Sequence, residues 1–441
     1  MLDTKKGAHM LKNGKHNVWI LLLFLVGCTQ VKQIINKTSP REDFTIALKN
    51  SPINEKRFVQ EWKSAWENAR TQPVDIDLPY HEKGRFFPSD ITASAFHFVV
   101  NQGEKVTVTI SSSVNLFAEL FNREETEKPL VYLKQDETSF THTIKSSGSY
   151  LLVLQPELLG SGSYELTIQN TGSLAFPVLG KDSYSIQSFW GAMREGGKRS
   201  HEGVDIFAGK GTPVLAVAPG TAHAGTNNLG GNVIWQRSND GRNFYYAHLD
   251  SQTVSYGQVN TGDTIGFVGN SGNARSTSPH LHFGIYMRGR GAVDPFPFID
   301  NVHPEIPEIN LDTAWNESLA RISAPKANMR YSPSTEFDPD TSLLQNTVVK
   351  LNAATKDWYR ISLPDGTGGF VYHTLIDSLE ESTHKLPDST YVAKLNPWAR
   401  HLRDSILITG RPEIYGSFDN RLLVKASGRY FWVMNPEFVE Q

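Results

Sequence analysis

The chain has 441 residues, enough for several domains that each bury a core of their own. A hydrophobic share of 39% with 11% aromatics suits folded globular domains, and a net charge near -3 without a long basic run excludes nucleic acid as the main partner. Thirty-five glycines and 23 prolines call for many turns and short strands, so the expected fold class is mostly β and multidomain, with one short helical segment near the N-terminus.

The first element in chain order is a leader. Lys5, Lys6, Lys12 and Lys15 precede a nine-residue apolar run, Val18 to Val26. That run covers about half of the ~20 residues a membrane-spanning helix needs, so residues 1–27 are expected to be a signal peptide. Leu25-Val26-Gly27-Cys28 resembles the bacterial lipobox, which implies cleavage before Cys28 and lipid attachment there. Cys28 is the single cysteine, so no internal disulfide can form. Thr29 follows it where an aspartate could stand. By resemblance to lipoprotein sorting in Gram-negative bacteria, this implies an outer-membrane anchor facing the periplasm. Residues 28–85 then hold the anchor and a helical segment. Phe58, Trp62, Ala65, Trp66 and Ala69 recur on one helical face, and Ser51-Pro52 supplies a start signal. The two tryptophans are expected to pack against the next domain.

Over residues 86–172 the hydrophobic period becomes two. "KVTVTI", "LLVL" and "YELTI" read as strands separated by serine–glycine turns, which predicts a β-sandwich. Its final "SGSYLLVLQPELLGSGSYELTIQN" resembles the pre-peptidase domains found beside secreted bacterial proteases. His97 and His142 lie in strand-like contexts and are expected to be satisfied structural side chains.

Residues 173–300 carry the candidate chemistry. "SHEGVDIF" places His201 and Asp205 four positions apart, a weak motif alone. "SPHLHFGIY" places His280 and His282 two apart, which puts both on one face of a strand. "FYYAHLD" adds His248 in a third strand-like run. Three His or carboxylate ligands plus an open position suit a catalytic zinc ion, and two histidines remain for proton transfer. With no cysteine here, a structural cysteine-based site is excluded.

The blocks "SFWGAMREGGKRSHEGVDIFAGKGTPVLAVAPGTA", "LGGNVIWQ", "YYAHLD", "GQVNTGDTIGFVGNSGNARSTSPHLHFGIY" and "VDPFPFI" resemble the lysostaphin-type (LytM-like) zinc metallopeptidases, in family order. The resemblance implies an antiparallel β peptidase domain with His201, Asp205 and His282 as zinc ligands. It makes His248 and His280 the catalytic histidines, without assigning which is the general base. Arg194, in the "FWGAMR" block, falls where relatives have a substrate-facing or structural arginine. An aspartate ligand adds negative charge at the metal, which lowers the acidity of its water relative to a three-histidine site and increases the need for a nearby base.

Residues 301–319 read as a linker. Over residues 320–380, "ANMRYSPS", "DWYRISL" and "DGTGGFVYHTLI" resemble a bacterial SH3-like β-barrel. Residues 381–441 form a β-rich tail with no assignment, and His303, His373, His384 and His401 are expected to be structural. The implied activity is zinc-dependent hydrolysis of peptide bonds in peptidoglycan crosslinks, of the D,D kind expected for a lipoprotein of a two-membrane cell. The long flanking segments keep open an alternative, a catalytically restrained wall-binding regulator.

Overall fold

The computed structural model describes residues 38–87, 92–125, 127–313, 319–336, 338–394 and 405–435. The leader and Cys28 lie outside them, and among the described residues no helix is long and apolar enough to cross a membrane. The architecture is mostly β, in several sheets. The helix expected from Ser51 starts later, spanning Arg57–Thr71; an unanticipated helix, Pro40–Lys49, precedes it, and Ser51-Pro52 sits in the turn between them. The first is a capped helix: the Ser39 hydroxyl accepts from the Glu42 N–H at 3.1 Å, Pro40 opens the first turn, and Glu42 and Asp43 face the helix N-terminus.

These helices cover the outer face of a five-stranded sheet. Trp66 packs on Phe121, Leu151 and Val153, while the buried Trp62 donates its indole N–H to the Pro156 carbonyl at 2.9 Å. Coverage on both faces explains why the strand Gly148–Pro156 is buried almost end to end. A second layer, Tyr80–Phe86, Gly162–Gly172, Glu104–Ser112 and Ser139–Thr143, closes the sandwich. In Glu104–Ser112 the residues Val106, Val108 and Ile110 point into the common core and Thr109 points out. Strand pairing begins at Val74 and Tyr80, ahead of the expected residue 86, because Tyr80–Phe86 pairs along Gly162–Ile168.

The last sandwich strand runs directly into the next unit. Gly172 N–H donates to the Asp300 carbonyl and Leu174 N–H to that of Phe298, both at 2.8 Å. Over residues 173–300 the strands Ile186–Ser188, Val204–Phe207, His280–Met287, Asn243–Gln252, Gly231–Ser238, Gly220–Asn227 and Tyr256–Val259 lie side by side in that order. One face is the core, with Val204, Ile206, Leu281, Phe283 and Ile285 almost fully buried. The residues that alternate with them face the other way.

Residues 301–313 carry no regular structure but are tethered. The His81 ring bonds the Pro307 carbonyl at 2.8 Å, and the Asn310 side chain donates to Asp357 at 3.0 Å. Beyond them, the barrel expected over 320–380 is not closed among the described residues. The strand Val348–Thr355 is bulged between Leu351 and Ala353. Its first half pairs with Leu319–Ile322, whereas its second half pairs with Tyr80–Phe86 of the sandwich. An edge used by the sandwich is not available to close a barrel on itself. The β-rich tail is a six-stranded antiparallel sheet built from residues 384–434.

Candidate metal centre

Antiparallel pairing sets Asp205 directly opposite His282 and Phe207 opposite His280. Because register partners share a face, the carboxylate and the imidazole project together from the side opposite the core. His201, just before that strand, closes a triangle. Its Nε2 lies 2.9 Å from His282 Nδ1 and 3.0 Å from Asp205 Oδ1, and His282 Nδ1 lies 3.0 Å from the same oxygen. Among the described residues these three side chains are the group able to hold a metal ion.

The donor chemistry fits a cation. His201 donates its Nδ1–H to the Phe189 carbonyl at 2.9 Å, which leaves the Nε2 lone pair turned to the triangle. Neutral rings therefore bring at most one proton, on His282 Nδ1, to three mutual contacts of about 3 Å. A divalent ion removes the remaining lone-pair repulsion, and two histidines with one carboxylate are ligands that zinc accepts. Burial opposes ionisation of Asp205, but hydrogen bonds and charge from His201 and His282 override it and hold the carboxyl far below its usual range. Burial lowers the pKa of His282, partly offset by its bond to Asp205.

Gly203 makes room for this packing. A Cβ there would sit 2.5 Å from the Phe283 carbonyl oxygen and 2.7 Å from His282 Cε1. Arg194 comes from the short ladder Met193–Arg194 with Arg199–Ser200. It donates to Asp205 Oδ2 at 2.5 Å and to the Ser188 hydroxyl at 2.7 Å. The structure thus places Arg194 behind the carboxylate, orienting it.

His280 and His248 stand beside the triangle. Each uses Nδ1–H on a backbone carbonyl, Ser278 at 2.8 Å and Ser271 at 2.9 Å, which leaves both Nε2 atoms free of that bond. Their rings are 5.0 Å apart and His248 lies 6.0 Å from the His282 ring. His248 reaches this face through a bulge. Ala247 is the register partner of His282, so simple alternation would send His248 toward the core with Tyr246. A positive φ of 62° redirects it, in a backbone region that non-glycine residues rarely adopt. The Ser271 loop that anchors it packs on Gly231 so closely that a Cβ on Gly231 would lie 2.4 Å from the Gly272 nitrogen. Burial first, then the neighbouring His280 and His282, push the His248 pKa down to about 4, although its bond to Ser271 opposes this.

All five expected site residues thus converge, with Arg194 at their edge. Sequence reading missed the aromatic floor of Trp235, Tyr245 and Tyr286, in which Trp235 and Tyr245 lie 4.5 Å apart and Tyr245 stands 5.9 Å from His282. Alternation in "FYYAHLD" marks Tyr245 as the residue opposite the core-facing Tyr246, which was the available signal. The supporting carbonyls of Phe189, Ser271 and Ser278 have no side-chain signature. Among the described residues, the hydrogen-bond and ring partners of the five central side chains lie between Ser188 and His282.

Residues 199–295 match the family model of Peptidase family M23. The chain is 39% identical over 141 residues to the L-Ala--D-Glu endopeptidase of Bacillus subtilis, covering 29% of this chain and 43% of that one. It is 41% identical over 93 residues to the DD-carboxypeptidase/endopeptidase Mpg of Neisseria meningitidis, 21% of each chain. The chain therefore spans less than half the length of these curated relatives. Among solved structures, the catalytic domain of lysostaphin from Staphylococcus simulans is 38% identical over 25% of this chain and 87% of that one, with a TM-score of 0.23. The chain carries a domain of peptidase family M23.

Proposed function

We propose that this protein is a zinc-dependent endopeptidase that hydrolyses peptide bonds in peptidoglycan crosslinks during cell-wall remodelling, with D,D bonds as its targets. The observation that carries this reading is the triangle of His201, Asp205 and His282 with two further imidazoles presenting Nε2 beside it. The peptidoglycan substrate class is supported by the endopeptidase relatives, and D,D cleavage by the Neisseria relative. A lipid anchor at Cys28, on the outer membrane facing the periplasm, places the domain where that polymer is found.

His201, Asp205 and His282 would hold the ion, with Arg194 fixing the second oxygen of Asp205. Bound zinc supplies Lewis-acid activation of water and of the scissile carbonyl. His248, kept uncharged by its buried setting, accepts the proton of the attacking water through Nε2. His280, as the imidazolium with Nδ1 and Nε2 both protonated, donates from Nε2 to the oxygen on which negative charge grows, and the proton taken by His248 passes to the leaving amine. The stacking of Phe207 on His280, with ring centroids 5.1 Å apart, holds that imidazole in place. The aromatic floor offers a peptide apolar surface on one side of the ligands.

The test is digestion of purified peptidoglycan, with products identified by mass spectrometry and bound metal by elemental analysis. New peptide ends are expected from the native chain. His282→Ala should lose both metal and cleavage, whereas His280→Ala should keep metal and lose about 10²–10⁴-fold in rate. A zinc-loaded native chain that cuts no wall type would leave the regulator in the enzyme's place.

A further inference from the structure

A second concave site, sharing no residue with the metal centre, lies where the sandwich meets the segment after residue 326. The strand Val74–Asp75 lies parallel to Ser94–Val100, with Asp75 beside His97. Asp75 N–H donates to the Tyr331 carbonyl at 3.1 Å, and Tyr331 N–H donates to Asp340 Oδ2 at 2.5 Å. These bonds fix both walls of a cavity of about 350 Å³, within the range of small-ligand sites.

Its chemistry is one-sided. Asp75, Asp77, Asp338 and Asp340 line it, against one guanidinium, that of Arg330. Ile76 and Phe98 also line it, but both belong to the sandwich core and expose almost nothing. At the mouth, Val99 and Tyr331 are 66% and 52% exposed, two large apolar side chains facing water at the edge of a cavity. His97 adds an independent observation. Its Nδ1 is engaged by Asp75 Oδ1 at 2.5 Å, while its Nε2 is buried and has no hydrogen-bond partner among the described residues. With Nδ1–H committed to the carboxylate, Nε2 is an acceptor, and buried acceptors are seldom left unmatched.

We propose that this interdomain cavity binds a peptide bearing a protonated amine, with the apolar body of the ligand on Val99 and Tyr331 and its ammonium among the aspartates. The carboxylates favour an ammonium over a bare metal ion: among the described residues the tight metal-type cluster is the His201 group, and none of these aspartates belongs to one. The ligand is either a free peptide or the amine-bearing peptide of a cell-wall polymer, and both present the same groups.

The experiment is calorimetric titration of the full, zinc-free chain with N-acetyl-leucyl-lysinamide and with its Nε-acetylated form. Asp77 and Asp338 are exposed, so Asp77→Asn with Asp338→Asn removes charge without emptying a core, which a thermal melt equal to wild type checks. The cationic probe should bind, and both its acetylation and the double substitution should weaken it by about tenfold or more, which is ~1.4 kcal/mol. Cosedimentation with purified peptidoglycan, amines free or acetylated, separates the two sources. Amine-dependent sedimentation assigns the wall polymer, and its absence alongside charge-dependent probe binding assigns free peptides. No binding of the cationic probe, equal binding of both probes, or a double variant that binds like wild type would overturn the proposal. Because the zinc-free chain is used, these outcomes are independent of the peptidase reading.

Discussion

At the residue scale, the centre depends on which atoms are already committed. Arg194 and Ser188 lie behind Asp205 and His201, so the side chains proposed as ligands are held in place by protein partners. Outer partners of this kind typically account for 10–100-fold in metal affinity. Arg194→Met is therefore expected to weaken zinc binding by about that factor while leaving the fold intact. Competition against a chromogenic chelator measures it, and an unchanged dissociation constant would rule out the orienting role. His248 makes a separate prediction. Its folded pKa, near 4, lies below the ~6.5 of an unfolded histidine, so between these values the unfolded chain binds a proton that the folded chain does not. The contribution to stability is thus complete above about pH 6.5 and is lost as pH falls toward about 4. His248→Asn removes the titration, and asparagine tolerates the positive φ at this position. In metal-free denaturation series over that range, the native chain should lose stability more steeply than the variant. Parallel curves would show that His248 titrates normally.

At the element scale, paired strands do what spacing alone cannot. The H-x-H pattern was legible as one face of a strand, and Asp205 lies between Val204 and Ile206, which both face the core. That the two strands are neighbours in register follows from pairing between segments some 77 positions apart, which no local pattern encodes. His248 escaped the period-two rule for a physical reason, the bulge that turns it out of the core. The helices show the reverse case. Ser-Pro occurs at residues 39–40 and again at 51–52, and only the first is followed by acidic residues in the first turn and carries the cap. The second falls in a turn, because the amphipathic run that buries Val59, Trp62 and Trp66 starts at Arg57. Gly203 gives the test at this scale. Gly203→Ala forces either the Phe283 carbonyl or the His282 ring to move. A loss of about 1–3 kcal/mol in stability is expected, with weaker zinc binding. Thermal unfolding and zinc titration of the variant decide it, and native behaviour in both would mean that the strand spacing has slack.

At the scale of the whole molecule, the sandwich is the central body. The peptidase domain joins it through Gly172 and Leu174, and the C-terminal strands join it through Lys83 and Gly84, opposite Ala354 and Ala353. The second junction is sealed by a buried ion pair. Arg360 grips Glu82 with two bonds, 2.9 and 3.0 Å long, and Tyr80 and Tyr164 donate to the same carboxylate at 2.7 and 2.6 Å. Glu82 and Arg360 are 278 positions apart, and although Arg360 stands in the "DWYRISL" block, nothing there points to a partner in the sandwich, so the sequence offered no sign of this lock. Every oxygen of Glu82 is engaged, and removing the cation leaves a carboxylate with no exposure to water. Breaking such a pair from one side costs about 3–5 kcal/mol, whereas removing both charges costs much less. Arg360→Ala should therefore loosen the junction and speed proteolysis of the tethered segment 301–313, whose His81 and Asn310 bonds bridge the same two bodies. Glu82→Gln added to Arg360→Ala should recover much of the lost protection. Zinc affinity should not change in either variant, since the partners of the metal-centre side chains lie between Ser188 and His282. Altered zinc affinity in Arg360→Ala would instead mean that the C-terminal strands act on the peptidase site through the sandwich.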